Sequence, residues 1–184
     1  MREILKYGGV PVPYAVLWSE EEAPGMHVAK CAHARAYACC QVKSARGAGK
    51  PRFGSPHMDR QREVIINEWC DVCAKPLKGR TKVSLSHAGH RMSGTGLYVM
   101  QVEPMVHKDC AIICLQHCPS LKRDIANGTL FVRQVLKHRT QLAILSHAAV
   151  LEFTNEAHAG PVLGHAKVEL LHWKDRDMTW LMNT

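Results

Sequence analysis

The chain has no apolar run long enough to cross a bilayer. Its longest, around Leu142 to Leu151, is interrupted by Ser146 and His147, and the opening MREILKYGGV lacks the apolar stretch of a secretory leader. The expectation is a soluble, cytosolic protein with no membrane partner, in which eight cysteines serve as thiols or metal ligands rather than disulfides. Phosphate-binding loops, dinucleotide fingerprints, nucleophile elbows and the paired motifs of zinc deaminases are all missing, which removes the enzyme classes that depend on them. Acidic residues are in the minority, 16 against 24 Lys plus Arg, and the pI near 9.2 points toward phosphate-rich partners. At 184 residues the chain is long enough to bury a genuine core, and a single domain is expected.

What is present centres on Cys70 to Cys118. This stretch opens with WCDVCAKPL, passes through TKVSLS and GLYVMQV, and closes with EPMVHKDCAIICLQHCP. Two cysteines separated by two residues can wrap a tight turn around one metal, so Cys70 and Cys73 read as a knuckle. Thr81 to Ser86 and Leu97 to Val102 read as strands paired across the Gly-rich loop from His87 to Gly96. Beyond Pro104, Ala111, Ile112, Leu115 and Cys118 recur at helical spacing until Pro119. His107 and Cys110, three apart, share a face of the first helical turn and can both point at the knuckle. Knuckle, hairpin and helix start are the order of a treble-clef zinc site. One structural Zn2+ is therefore expected on Cys70, Cys73, His107 and Cys110, a closed Cys3His set. Cys118, two turns beyond Cys110 on nearly the same face, is the alternative ligand, and Cys114 reads as core.

In chain order, VPVPYAVLW at 10 to 18 reads as an edge strand. The Ala-rich segment from Val28 to Val42 favours a helix. Its Cys31, His33, Cys39 and Cys40 invite a second metal site, but none has the context of a knuckle, and packing in a helix explains the cysteines as well. Residues 43 to 56, KSARGAGKPRFGSP, read as a basic loop, and a short helix follows from Asp59, its cap, to Glu68. After the central helix, Leu121 to Asn127 is a turn or short helix. Residues 129–136, 148–154 and 166–173 then read as strands of an antiparallel sheet. The expected architecture is α+β, with an N-terminal strand, helix and basic loop in 1–69, the zinc unit in 70–119 and a β-rich part in 120–184.

GGVPVPYAVLW, CDVCAKPL, EPMVHKDCAIICLQHCPSL and KVELLHWKDRDMT together resemble a family of uncharacterised bacteriophage and prophage proteins. The resemblance spans nearly the whole chain and covers Cys70, Cys73, His107, Cys110 and Cys118. Ala74 replaces the glycine usual in that knuckle, Met105 replaces a second proline, and a Gly-rich segment is inserted before the helix. The resemblance implies a phage accessory protein in a bacterial cytoplasm and supplies no activity.

Three functions fit these observations. A zinc-stapled module could bind DNA or RNA through Lys43, Arg46, Lys50, Arg52, Arg60, Arg62, Lys78 and Arg80, with Phe53 stacking on a base; a solvated connector explains the loop equally well. A phage factor could instead bind a host protein. A His-Asn-His metal nuclease is the third reading, with His87 and His90 near the required position. It lacks the Asp-His dipeptide of that class, and His107 is already committed to the metal.

Overall fold

In the computed structural model, which describes residues 4–94 and 96–183, the prolines of the N-terminal segment break it into short strands. β1 (Lys6–Tyr7) and β2 (Val10–Pro11) pair across Gly8 and Gly9, both at positive φ, and β3 (Val16–Trp18) leads into the single-turn helix α1 (Ser19–Glu22). The Ala-rich segment is not helical. It forms an antiparallel hairpin of β4 (Met26–Lys30) and β5 (Tyr37–Gln41), with His27 opposite Cys40 and Lys30 opposite Tyr37. Tertiary packing overrides alanine's helix propensity here: Ala38, Cys39 and Cys40 are buried, and their small side chains let β5 join the main sheet. The basic loop ends at Lys50, because β6 (Pro51–Pro56) pairs antiparallel with β3 in a two-stranded ribbon whose end prolines forfeit little hydrogen bonding.

Helix α2 (Met58–Ile66) is present where expected, but His57 caps it by accepting the Arg60 N–H, while Asp59 accepts from the Gln41 N–H. Seven of its nine residues are buried against the sheet and the N-terminal segment, Asp59 and Ile66 being half-buried.

The central stretch contributes β7 (Lys82–Ser86), β8 (His90–Ser93), β9 (Gly96–Gln101), β10 (Val106–His107), α3 (Lys108–His117) and α4 (Pro119–Ala126). The expected pairing of the first strand with Leu97–Val102 does not form. β7 lies between β10 and the long β11 (Phe131–Ile144), whereas β9 pairs with β8 and with β12 (Val162–Arg176). Alternation buries one face of a strand but does not name its neighbour. The sheet runs β10-β7-β11-β12-β5-β4, antiparallel except for β12 beside β5. It curls enough that Ser84 Oγ of β7 donates to Gln101 Oε1 of β9 at 2.6 Å, although those strands are not paired.

Residues 148–154, expected as a strand, form helix α5 (His147–Thr154). Ser146 Oγ caps it by accepting the Ala149 N–H, and Asn155 ends it in the left-handed region at φ 55°. A last helix, α6 (Met178–Met182), places fully buried Leu181 against the core. That core joins Val64, Leu77, Val83, Val99, Ala111 and Leu170 with Cys70, Cys73 and Cys110. Because strands from all three sequence regions enter one sheet, the chain is a single α+β domain with six helices among the described residues. No helix among them is long and apolar enough to span a membrane.

Candidate metal centre and basic groove

The knuckle forms because two backbone bonds close it. The Cys70 N–H donates to Lys75 O and the Ala74 N–H to Cys70 O, each at 2.8 Å. Ala74 takes a left-handed φ of 49°, the conformation that glycine adopts without strain. On the opposite side, β10 holds His107 against Lys82 of β7, and α3 begins at the next residue. Cys110 is therefore one turn into the helix and His107 is its cap.

These elements bring Cys70, Cys73, His107 and Cys110 together. One ligand atom from each lies within 4.8 Å of the others, and none of the four residues is more than 7% exposed. His107 Nδ1 is 3.3 Å from Cys73 Sγ and 4.0 Å from Cys110 Sγ. A tetrahedral zinc with bonds of about 2.0 to 2.3 Å requires edges of about 3.6 to 3.8 Å. His107 Nε2 is 3.0 Å from Pro76 O, where only a donor fits, so the proton belongs on Nε2 and the Nδ1 lone pair faces the sulfurs. Cys70 is the sulfur best prepared as a thiolate. A hydrogen bond from Cys110 and the N–H groups of Cys73, His107 and Val72 outweigh burial and bring its pKa down to about 5. Burial pushes the Cys73 thiol up, and the interaction with Cys70 does the same to Cys110, so a cation is what would ionise all three together.

The alternative ligand, Cys118, sits at the far end of α3 as its C-cap and is outside this cluster. Burial pushes the Cys114 thiol up to about 12, as suits a packed side chain. Cys31, His33, Cys39 and Cys40 form no such cluster among the described residues; Cys31 and Cys40 pack with Ala38 and Leu163.

The cations expected on a basic face are mostly engaged by carboxylates. Arg60 and Arg62 are interior residues, which corrects their expected exposure. Arg60 makes two 2.7 Å bonds to the fully buried Glu21 and also donates to Tyr14 O and Val16 O. Arg62 reaches Asp59 at 2.7 Å and Gly164 O at 3.0 Å. On the surface, Lys43 pairs with Glu20, Arg52 with Glu22 and Arg80 with Asp109. Lys50 and Lys78 are exposed with no carboxylate partner among the described residues, and Phe53 is 57% exposed in β6.

A groove that the sequence reading missed lies beside the basic loop. It is open, about 410 Å³, and runs between the β4–β5 connection, with Lys30 and His33, and the loop residues Ser44 and Arg46. The Arg46 guanidinium lies 4.7 Å from the centre of the Tyr14 ring, which also lines it. An adjoining hollow of about 620 Å³ is lined by Lys30 to Tyr37, Arg35 included. Ala32, Ala34, Ala36 and Ala38 alternate with larger residues, a period-two pattern that marks extended chain and could have exposed this connection. Comparison with family models, curated proteins and solved structures gives no match to this chain.

Proposed function

We propose that this protein is a zinc-stapled module that binds nucleic acid in the groove between the β4–β5 connection and the loop at 43–50. Three thiolates and an imidazole are soft and borderline ligands that favour zinc over hard cations. In this reading the knuckle, the β7–β10 pair and α3 act as a treble-clef-like staple with the β8–β9 hairpin inserted, in keeping with a phage accessory protein. Four buried protein ligands leave a tetrahedral ion no open position for water, which argues against a hydrolytic role for the metal.

The observation that carries the partner is the groove's lining. Lys30, His33 and Arg46 line it, and Lys30, at the end of β4, and Arg35, in the connection, are exposed with no carboxylate partner among the described residues. Counterion release then requires affinity to fall with salt, at roughly 0.7 to 0.9 of log-log slope per phosphate neutralised. Fluorescence anisotropy with labelled single- and double-stranded oligonucleotides at several salt concentrations tests this. The double variant Lys30→Ala, Arg35→Ala is expected to bind more weakly and to lower the slope by about 1 to 2. An unchanged slope, or no binding at low salt, refutes the reading and favours a protein ligand.

A further inference from the structure

The hollow that adjoins the groove owes its space to small side chains. Ala32, Ala34 and Ala36 offer only methyl groups along the β4–β5 connection, and a volume of about 620 Å³ stays open beside them. The connection is tied by its own backbone: the Cys31 N–H donates to Ala36 O and the Ala36 N–H to Ala34 O, each at 2.9 Å. Lys30 and Arg35 bring positive charge to the hollow, and no Asp or Glu is among its described lining residues. Tyr37, the first residue of β5 and the partner of Lys30 across the hairpin, lines it as well and is 43% exposed. The His158 ring lies 4.7 Å from the tyrosine ring, tilted by 51°, and its Nδ1 accepts the Gly160 N–H at 3.2 Å. Tyr37 is thus a surface aromatic backed by a ring that is itself held in place.

An exposed tyrosine between two cations meets both parts of a nucleotide. Phosphates are attracted to Lys30 and Arg35, and a base can stack on the ring. A base inside a duplex already has both faces covered by its neighbours, so only an unpaired base can use it. Volume points to the same ligand, because sites of about 300 to 1,000 Å³ enclose one small molecule and not a double helix. The hollow and the groove share Lys30, Ala32 and His33, which makes them one continuous track that a strand can follow. Carboxylates along the groove are engaged, Glu63 by the Tyr14 hydroxyl and Asp59 by Arg62. We propose that the hollow is a base-binding subsite for single-stranded DNA or RNA, with an unpaired base stacked on Tyr37 and its flanking phosphates on Lys30 and Arg35; this rests on the nucleic-acid reading of the groove. Tyr37 then sets the preference for a single strand over a duplex, while the cations attract both.

The test is fluorescence anisotropy with a short labelled strand, as DNA and as RNA, its duplex, and a DNA copy whose bases are replaced by abasic sites. Wild type is expected to bind either intact strand at least about 10-fold more tightly than the duplex or the abasic copy. Tyr37→Ala is expected to lose about 10-fold or more on the intact strand with an unchanged salt slope, since no charge is removed, and Tyr37→Phe, which keeps the ring, to stay within about 2-fold of wild type. On the abasic copy Tyr37→Ala and wild type should bind alike, a result that a merely structural role for the tyrosine would not give. Free nucleoside monophosphate should compete only at concentrations at least about 100-fold above those of unlabelled strand. Equal binding of strand and duplex by wild type, or of the intact and abasic strands, overturns the inference whatever the variants do. Equal binding of the intact strand by Tyr37→Ala and wild type overturns it too, as does competition by the mononucleotide as effective as that by the strand. Each of these leaves a binding module whose salt slope still falls in the Lys30→Ala, Arg35→Ala variant, whereas binding of neither strand nor duplex removes both readings.

Discussion

Replacing Cys73 by serine tests the metal centre most directly. Cys73 is 7% exposed, and its sulfur lies 3.3 Å from His107 Nδ1, so a serine hydroxyl there would be a poorer, shorter ligand in a closed pocket. Structural zinc contributes about 10 to 16 kcal/mol to folding in small zinc-dependent peptides. A whole domain is stable by about 5 to 15 kcal/mol, so losing even half of the metal's contribution removes most of the margin. A kilocalorie is worth about 2 to 4 °C of melting temperature in a chain this size, which puts the expected fall for Cys73→Ser at tens of degrees, or at no cooperative transition. Cys114→Ala, which leaves all four ligands in place, is expected to cost only about 1 kcal/mol and a few degrees. Native mass spectrometry should count one zinc per wild-type chain and none in Cys73→Ser. Wild-type protein that melts at the same temperature after complete metal removal would refute the structural role.

Ala74 sits at φ 49°, where a Cβ costs roughly 1 kcal/mol, so Ala74→Gly is expected to raise the melting temperature by a few degrees with zinc content unchanged; calorimetry checks this. Acidification should lower stability in two windows. For Glu21, burial opposes ionisation, but hydrogen bonds from Arg60, Trp18 N–H and Ala45 N–H outweigh it and hold the pKa below its ordinary value. Its contribution is complete above the unfolded pKa of about 4.3 and is lost as pH falls through the lower folded value. His57, held down by burial, stays neutral in the fold while the unfolded chain takes a proton below about pH 6.5, so its loss begins earlier. Burial holds His138 and His165 down in the same way, so urea titrations from pH 8 to 4 should show both declines and His57→Asn should shrink the upper one.

The four-residue cluster was legible because its information is short-range. A Cys-x-x-Cys turn and a His-x-x-Cys helix start each set their local geometry, and only their meeting needed the fold. Strand pairing was less accessible. β7 bonds to β11, some fifty residues later, and nothing within Lys82–Ser86 distinguishes that neighbour from β9. Arg60 and Arg62 misled for a related reason. Beside Lys43 and Arg52 they extend a run of surface-like charge, and only packing α2 under Glu21 and against Gly164 turns them inward. The α5 helix, by contrast, carried a readable signal in Ser146 ahead of His147, Ala148 and Ala149, which the apolar run after them outweighed.

The metal centre and the groove are also mechanically joined, through Asp71 inside the knuckle. Its backbone oxygen accepts the Tyr14 N–H, and its Oδ1 accepts the Ala15 N–H at 2.9 Å. Tyr14 in turn bonds Glu63 and lies beneath Arg46, so the tyrosine that shapes the groove hangs from the knuckle that carries Cys70 and Cys73. Asp71→Ala removes the side-chain half of this tether without touching a ligand. Losing one partly buried hydrogen bond costs about 1 to 2 kcal/mol, and if Tyr14 shifts in proportion, oligonucleotide affinity falls roughly 5- to 30-fold. Asp71→Asn keeps the acceptor oxygen and is expected to bind like wild type. Zinc stoichiometry should stay at one in both variants, which separates loss of the tether from loss of the staple. Equal affinity of Asp71→Ala and wild type would show that the knuckle does not position the groove.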